Sequence, residues 1–295
     1  MADGSKQLHA WLTALRPRQW IKNGLVFVGL VFSLNLTHPP AVVRALVAFM
    51  VLCALASSAY LINDAADAPR DRLHPFKARR PIAAGLIAPA TAVRVGVGLG
   101  LAALAVAWAL GWGFFLVGLG YLVLTAAYTL WLKRFPIVDL FTVATGFVLR
   151  AAAGAVVIQV LISPWLLLCT FLGALFIVTA KRRHELATLD DEAVAHRASL
   201  SAVTAMFLDE LMLITAGCSI VVYSLYTFNE RPDRPPVLML TIPLVMYGIF
   251  RYLYLVRVGG LGGSPEEALL GDRPLLLTVA LWAALSAAIL YLSPR

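Results

Sequence analysis

Residues 41–71 read AVVRALVAFMVLCALASSAYLINDAADAPRD, and this stretch decides the fold class. Positions 41–62 form an apolar run, and about 20 apolar residues are enough to cross the hydrocarbon core of a bilayer as a helix. The run leads directly into the acidic motif Asn63-Asp64-Ala65-Ala66-Asp67-Ala68-Pro69-Arg70-Asp71. A membrane span that ends in carboxylates indicates a protein whose polar chemistry lies at a helix end.

Apolar runs of similar length recur along the whole chain. Apolar residues make up 61% of the 295 positions and charged residues 14%, whereas about 25% of a soluble domain is charged. The connections are too short for a soluble domain, so we predict one integral-membrane domain over residues 1–295. The predicted fold class is all-α, a polytopic membrane helical bundle of about nine transmembrane helices, with spans near 20–36, 41–62, 91–110, 113–132, 136–160, 163–181, 205–228, 236–256 and 274–293.

Basic residues cluster in alternate connections, which predicts the orientation in the membrane. Cytoplasmic loops carry an excess of Lys and Arg, so the N-terminus is predicted to be cytoplasmic and an odd number of spans places the C-terminus outside. Loops 63–90, 182–204 and 257–273 then form a cytoplasmic active-site face. The net charge of +8 is explained by these short clusters, so no nucleic-acid partner is expected.

The acidic motif predicts a metal site. In a continuing helix Asn63, Asp67 and Asp71 recur every four residues and lie on one face, with Asp64 beside them. Carboxylates this close repel each other unless a cation lies between them, and oxygen ligands suit Mg²⁺ shared with substrate phosphates. The alternative, a solvated acidic helix end, is disfavoured because carboxylates oppose the dipole at a helix C-terminus.

Two further features surround the motif. Arg72 and the run Lys77-Ala78-Arg79-Arg80 follow it, and these residues either bind phosphate groups or hold the loop on the cytoplasmic side; both readings stay open. Pro69 lies inside the motif and predicts that the helix kinks or ends between Asp67 and Asp71. Asp71 is therefore the least secure of the predicted metal ligands.

Together these motifs resemble the UbiA superfamily of intramembrane prenyltransferases. The resemblance rests on Asn-Asp-x-x-Asp-x-x-x-Asp with the following Arg80-Pro-Ile-Ala-Ala-Gly, on Arg16-Pro-x-x-Trp20-x-Lys22-Asn23, and on Tyr128-x-x-x-x-Lys133-Arg134. It implies a nine-span helical bundle that binds Mg²⁺ and a substrate diphosphate at its cytoplasmic mouth. Relatives assemble as trimers, so a homo-oligomer is implied.

The end of the sixth predicted span separates branches of that superfamily. Aromatic prenyltransferases have a second Asp-x-x-x-Asp array there, whereas this chain reads Lys181-Arg-Arg-His-Glu185-Leu. This sequence resembles the branch that transfers phosphoribose from phosphoribosyl pyrophosphate to a polyprenyl phosphate such as decaprenyl phosphate. The resemblance implies a bacterial inner-membrane enzyme with a cytoplasmic active site, in a route to arabinose-containing cell-envelope polymers.

The residues and the resemblance together give a set of predicted roles. Catalysis is assigned to Asp64, Asp67 and Asp71, and the Mg²⁺ ligands are Asn63, Asp67 and Asp71. Binding of the substrates, phosphoribosyl pyrophosphate and the lipid phosphate, is assigned to Lys22, Asn23, Arg72, Lys77, Arg79, Arg80, Tyr128, Lys133, Lys181, Arg182 and Glu185. Most of the rate acceleration would come from positioning and electrostatics.

Other readings remain. A prenyltransferase that uses a prenyl diphosphate and an aromatic acceptor is the main alternative, and it would require Glu185 with Asp190 or Asp191 in a second metal site. A transporter is disfavoured because the polar residues concentrate at one face. Arg150 lies within a predicted span and is expected to support the substrate cavity, with Asp139 or Asp209-Glu210 as its partner.

Overall fold

The computed structural model describes residues 2–73, 77–188, 202–229, 236–260, 263 and 265–292. This part of the chain is helical and contains no β-strand. Short 3₁₀-helices connect the longer elements at Pro17–Leu25, Lys77–Arg79, Leu132–Arg134 and Val237–Thr241. The α-helices are α1 Ala2–Leu15, α2 Val26–Phe32, α3 Pro39–Asp71, α4 Pro89–Leu110, α5 Trp112–Leu130, α6 Val138–Val157, α7 Pro164–Thr188, α8 Ala205–Asn229, α9 Ile242–Arg257, α10 Pro265–Gly271 and α11 Arg273–Leu292.

Within the described residues, eight helices are long and apolar enough to cross a membrane. The prediction of a polytopic all-helical membrane protein is confirmed, but the count is eight instead of nine. The predicted first span, 20–36, is divided between the 3₁₀-helix Pro17–Leu25 and the seven-residue α2. Seven α-helical residues extend about 10 Å, a third of the hydrocarbon thickness. The sides on which the termini lie stay a prediction.

Helix α3 runs without interruption through the acidic motif to Asp71. The predicted end of the helix between Asp67 and Asp71 is therefore wrong, and the predicted kink at Pro69 stays a prediction. Pro69 lies in the last turn, where the missing N–H costs one hydrogen bond and the neighbouring bonds persist, since Arg72 N–H donates to the Ala68 carbonyl at 3.2 Å. The predicted loops 63–90 and 182–204 likewise begin as helix, because α3 and α7 extend to Asp71 and Thr188.

The chain folds as two compact units that interleave along the sequence. The first unit comprises the chain up to Leu30, His38–Leu130 and Ala152–Val160. In it α3 packs along α4, and α1 lies against the acidic end of α3. Ala10 and Ala14 of α1 are buried against Leu61 and Ala68 of α3. The small alanine side chains let α1 approach closely, which fixes the residues that follow it next to the acidic motif.

Helix α2 and the end of α6 meet at backbone distance within this unit. A Cβ atom built on Gly154 would overlap the Val26 carbonyl, and one on Gly29 would lie 2.9 Å from the Ala155 nitrogen. Both neighbours are backbone atoms, which cannot rotate away as a side chain can. Glycine at positions 29 and 154 is therefore required by the packing.

We expect Gly154→Ala to lower the free energy of unfolding by about 1–3 kcal/mol, the usual cost of forcing an atom into a packed core. The measurement is the unfolding of the purified protein in detergent. Gly120→Ala is the matched control, since a Cβ at Gly120 has nothing within 4 Å. An equal effect of both substitutions would contradict the close approach.

Arg44 lies near the start of α3, at the opposite end from the acidic motif, and joins the ends of two other helices. Its Nε donates to the carbonyl of Val157 at 2.6 Å and its Nη2 to the carbonyl of Leu110 at 2.5 Å. These are the last residues of α6 and α4, whose terminal carbonyls have no partner within their own helices. A guanidinium also complements the negative end of each helix dipole. Arg44 thus has a structural role within the first unit.

The second unit comprises Val31–Thr37, Trp131–Ala151 and the chain from Leu161 onward. Its core is the contact of α7 with α8, where Phe176 and Ala180 pack against Met212 and Ala216. Tyr252 of α9 also packs in this core, and the centre of its ring lies 5.5 Å from the centre of the Phe176 ring. The packing holds the polar end of α7 beside the start of α8 and the end of α9.

Candidate active site

The acidic motif occupies the last turns of α3, and its members divide between two faces. Asp64 and Asp71 are buried, with 3% and 5% of their surface exposed. Asn63 and Asp67 are half-buried. Seven residues make almost two full turns at 3.6 residues per turn, so Asp71 lies directly above Asp64. Asn63 and Asp67 lie one turn apart and are both half-buried, and the predicted metal role of Asp71 stays a prediction.

Two arginines bind the buried carboxylates. Arg16 Nη2 donates to both oxygens of Asp64 at 2.6 and 2.7 Å. Arg80 Nη1 lies 2.6 Å from Asp71 Oδ2 and 3.2 Å from Asp64 Oδ1, so it joins the two carboxylates. We call these four side chains the charge cluster. Their side chains carry formal charges that sum to zero, which explains how two buried aspartates exist side by side without mutual repulsion.

Arg16 comes to this cluster from the turn between α1 and the first 3₁₀-helix. Its backbone is left-handed, with φ 55° and ψ 58°, a conformation that few non-glycine residues adopt. The Ser57 hydroxyl donates to the Leu15 carbonyl at 2.9 Å and accepts from the Trp20 indole at 3.0 Å. Arg16 lies in one of the motifs that carry the family resemblance, but its role could not be predicted from the sequence because its partner lies 48 residues away.

The basic stretch after α3 is only partly exposed. Lys77 and Arg79 lie on the exposed 3₁₀-helix Lys77–Arg79, as a phosphate-binding role requires. Arg80 turns inward to the charge cluster, and Arg72 Nε donates to the Ala83 carbonyl at 3.1 Å. The tight turn ends at Gly85, whose φ of 79° suits glycine. Arg72, Lys77 and Arg79 are exposed and are thus the residues of this stretch whose placement fits phosphate contact.

Four other predicted substrate-binding residues lie apart from the charge cluster in sequence. Lys22 Nζ donates to Gln19 Oε1 at 2.6 Å. Asn23 is 1% exposed, and its amide donates to Cys53 Sγ at 3.3 Å, so it packs in the core. Tyr128 of α5 and Lys133 of the 3₁₀-helix Leu132–Arg134 are half-buried. Their assigned roles stay predictions.

The end of α7 contains a buried ion pair that the sequence analysis did not predict. Arg182 Nε and Nη2 donate to the two oxygens of Asp139 at 2.7 and 3.2 Å, and Nη1 donates to Glu185 Oε2 at 2.9 Å. Asp139 is 2% exposed and Arg182 is 6% exposed. Each guanidinium nitrogen is thus bound by a carboxylate. The available signal was Asp139 itself, an acid in the first turn of a span, where a carboxylate needs a partner.

The contacts described for Arg150 lie within α6, and its pairing with Asp139 or Asp209-Glu210 stays a prediction. Asp139 binds Arg182, and Asp209 binds Arg183 Nε at 3.2 Å and Arg257 Nη2 at 3.4 Å. The Arg150 guanidinium donates to the Gly146 carbonyl at 2.8 Å and lies 5.2 Å from the centre of the Phe147 ring. Of the residues predicted for a second metal site, Asp190 and Asp191 lie outside the described residues.

Asp272 ends the connection before α11 and binds two partners. It accepts from Arg251 Nη2 at 2.8 Å and from the Leu275 backbone N–H at 2.8 Å, which makes it the N-cap of α11. The Arg251 guanidinium holds the pKa of the Asp272 carboxyl below its ordinary value, because the bond stabilises the carboxylate. A carboxyl group whose pKa is lower in the folded state stabilises the fold at pH values above its unfolded pKa of about 3.9. This stabilisation is lost as the pH falls through the folded pKa.

We therefore expect wild-type protein to unfold at a higher temperature than Asp272→Asn near pH 6, with the difference shrinking below about pH 4. Asparagine retains the N-cap, so the substitution removes the charge and leaves the cap in place. The measurement is the unfolding temperature in detergent as a function of pH. Arg251→Gln is the control and should show the same pH dependence; a difference independent of pH would contradict the ion pair.

The donor set of α3 is compatible with a magnesium ion shared with substrate. Among the residues that the structure describes, no three Asp, Glu, His or Cys side chains form a group that could hold a metal ion. Mg²⁺ is commonly bound through one or two carboxylates plus substrate phosphate oxygens, without a full protein cage. The half-buried Asp67, with the amide oxygen of Asn63 one turn earlier, supplies that kind of partial site. The residues present therefore fit the ion.

The fold and this site define a class: a multi-pass, all-helical membrane protein with an Asp-rich helix end that is paired with arginines. The chain belongs to the UbiA prenyltransferase family, whose sequence profile matches residues 24–260. The decaprenyl-phosphate phosphoribosyltransferase of Mycolicibacterium smegmatis is 34% identical, over 96% of this chain and 92% of that protein. The protein of the same name from Mycobacterium tuberculosis is 35% identical, over 92% and 91% of the two chains.

A solved structure shares the fold. The UbiA homologue of Archaeoglobus fulgidus, bound to GPP and Mg²⁺, superposes with a TM-score of 0.70 over 95% of this chain and 99% of that one. Its sequence identity is 20%, so the likeness shows the fold and no more. The sequence profile and the relatives confirm, at the level of the family, the resemblance drawn from the sequence motifs.

Proposed function

We propose that this protein transfers 5-phosphoribose from phosphoribosyl pyrophosphate to a polyprenyl phosphate of the decaprenyl type. An oxygen of the lipid phosphate forms a bond to ribose C1, the bond from C1 to the pyrophosphate oxygen breaks, and pyrophosphate leaves with the electron pair. The lipid phosphate is already an anion, so no general base is required. The product is a lipid-linked phosphoribose.

One observation carries this proposal over the alternative prenyltransferase. An enzyme that binds prenyl diphosphate through two metal sites would be expected to have a second Asp array at the end of α7. That end carries Lys181 instead, together with Arg182 and Arg183, which are paired with carboxylates. Phosphoribosyl pyrophosphate and the lipid phosphate together bring three phosphate-bearing groups, and cationic side chains bind such groups directly. The names of the relatives that match nearly the full length of this chain support the same choice.

The roles of the α3 residues follow from their placement. Asn63 and Asp67 would hold Mg²⁺, which when bound neutralises the leaving pyrophosphate. Lys77 and Arg79, exposed on the short helix after α3, bind phosphate oxygens. Asp64 and Asp71 hold Arg16 and Arg80 in fixed directions. Because these donors are already oriented, little reorganisation is needed when charge develops on the leaving group.

The basic residues at the end of α7 are assigned different roles according to their contacts. Arg182 is bound by Asp139 and Glu185, so we assign it and Glu185 to positioning that end of the helix. Lys181 keeps its assigned role as a phosphate ligand. At the first 3₁₀-helix, burial of Asn23 leaves Lys22 as the better candidate for the lipid phosphate. We place the reaction at the cytoplasmic face of a bacterial inner membrane, and the trimer stays a prediction.

The test is product formation by the purified full-length protein in detergent. Decaprenyl phosphate with labelled phosphoribosyl pyrophosphate is compared with geranyl diphosphate plus 4-hydroxybenzoate, each with Mg²⁺ and with EDTA. We expect Mg²⁺-dependent lipid-linked phosphoribose from the first pair and no product from the second. Detergent removes the two compartments, so turnover there demonstrates catalysis independently of transport.

A prenylated aromatic product would overturn the proposal and assign the protein to the prenyltransferase reaction. Product formation in EDTA, with no response to added Mg²⁺, would retain the substrate assignment and overturn the metal assignment.

A further inference from the structure

Helix α1 has three sectors around its axis that differ in chemistry. Two stretches one turn apart repeat the order leucine, polar residue, alanine: Leu8-His9-Ala10 and Leu12-Thr13-Ala14. Successive residues of an α-helix point about 100° apart. The helix therefore carries a leucine sector, a polar sector and an alanine sector, each about a third of a turn from the next.

The alanine sector packs on α3, whereas the other two sectors are exposed. Ala10 and Ala14 are 5% and 2% exposed, but Leu8 and Leu12 are 63% and 48% exposed. The two residues of the polar sector are exposed as well. A helix that lies in a membrane interface has an apolar face beside a polar one. The exposed part of α1 has this pattern, and its third sector is used for contact with the protein.

Helix α1 contacts α3 at the level where the apolar run of α3 ends. Helix α3 has 33 residues, so it is about 50 Å long, whereas the hydrocarbon core is about 30 Å thick. The apolar run ends at Ile62, directly before the acidic motif. Ser57 lies within that run, and its hydroxyl donates to the Leu15 carbonyl at the end of α1 at 2.9 Å. The end of α1 is therefore at the edge of the hydrocarbon.

Side chains next to the leucine sector fit the same level. The indole of Trp20, in the 3₁₀-helix after α1, donates to the Ser57 hydroxyl at 3.0 Å, and tryptophan is enriched at membrane interfaces. Lys6 and Arg18 are exposed before and after the leucines. Basic side chains beside an apolar face are attracted to anionic lipid headgroups. The charge of this surface thus complements a lipid leaflet.

We propose that α1 is an interfacial helix that lies in the surface of the bilayer, with its leucine sector among the acyl chains and its polar sector in water. Its partner is the lipid leaflet at the acidic end of α3. Because α1 leads directly into Arg16, the bilayer contact also helps to fix the point from which Arg16 reaches Asp64. This arrangement does not depend on which reaction the protein catalyses.

The test measures the depth of nitroxide labels on the full-length protein in nanodiscs of equal parts phosphatidylcholine and phosphatidylglycerol. Leu8→Cys or Leu12→Cys is introduced singly into a chain whose three native cysteines are replaced by alanine. Electron paramagnetic resonance compares the access of oxygen, which enters lipid, with that of a water-soluble nickel chelate. We expect both labels about 5–10 Å deep in the boundary between headgroups and acyl chains, as is usual for an interfacial helix.

His9→Cys and Thr13→Cys are the matched controls, because each label is one residue further along α1 and about 100° round the helix. These two labels should stay accessible to the nickel chelate. If the cysteine-free chain does not fold, a ketone-bearing amino acid at the same positions carries the label on a chain that keeps its cysteines.

Two outcomes would overturn the inference. In the first, the chelate reaches the labels at Leu8 and Leu12 as readily as the control labels, which would place the leucine sector in water. In the second, neither oxygen nor the chelate reaches them, which would show that protein, such as a second copy of this chain, covers the leucine sector.

Discussion

Asp67→Asn is expected to lower the rate of phosphoribose transfer at least a hundredfold and to leave the fold intact. Asp67 is the half-buried carboxylate of α3 that lies one turn after Asn63, and its charge is what an amide cannot supply to Mg²⁺. Losing one electrostatic element that acts on the leaving group typically costs about 10²–10³ in turnover. The measurement is the rate with decaprenyl phosphate and phosphoribosyl pyrophosphate across a range of Mg²⁺ concentrations.

Asp272→Asn is the matched control for this substitution. It makes the same chemical change at the N-cap of α11, outside the charge cluster and the metal-binding pair, and should retain turnover. Far-ultraviolet circular dichroism and gel filtration should show both variants folded. Near-wild-type turnover in Asp67→Asn would show that the metal is not held at the end of α3.

Asp139→Ala is expected to lower the free energy of unfolding by about 3–5 kcal/mol, the cost of removing one partner of a buried ion pair. Arg182 is 6% exposed, so water cannot replace the lost carboxylate. Glu185→Gln is the control on the same guanidinium. The Glu185 side chain is 23% exposed, and partly exposed ion pairs contribute about 1 kcal/mol or less. The measurement is equilibrium unfolding in detergent micelles.

A double substitution separates the two roles that Arg182 has been given. Asp139→Leu with Arg182→Met removes both charges, and apolar replacement of a buried pair is often neutral for stability. If Arg182 only positions the end of α7, the double variant should recover both stability and turnover. Recovered stability without turnover would show that Arg182 contacts substrate phosphate. Equal destabilisation by Asp139→Ala and Glu185→Gln would contradict the buried pair itself.

The sequence predicted the helical membrane fold and the position of the acidic motif because both depend on local properties. An apolar run of spanning length must form a helix in a bilayer, where each backbone polar group needs an internal partner. This reasoning failed at residues 17–32. An apolar run was located there, but its backbone divides into a 3₁₀-helix and the short helix α2.

Helical periodicity also predicted which residues of the acidic motif are neighbours on α3. The spacing assumed was four residues, whereas one helical turn has 3.6 residues. Spacing by four residues grouped Asn63, Asp67 and Asp71, whereas the structure pairs Asp64 with Asp71 across two turns. The sequence contained the information, since seven residues are nearly two whole turns. What it lacked was the location of α1, which packs on the buried face, and of Arg80, which joins the two carboxylates.

By itself, then, the sequence determined the family, the position of the acidic motif and, to within one, the number of long apolar helices among the described residues. Only the tertiary structure decided which charges are paired. Arg16 reaches Asp64 over 48 residues and Arg182 reaches Asp139 over 43. The physical reason is that a charge in an apolar setting needs a partner at bonding distance, and packing of whole helices decides which partner that is.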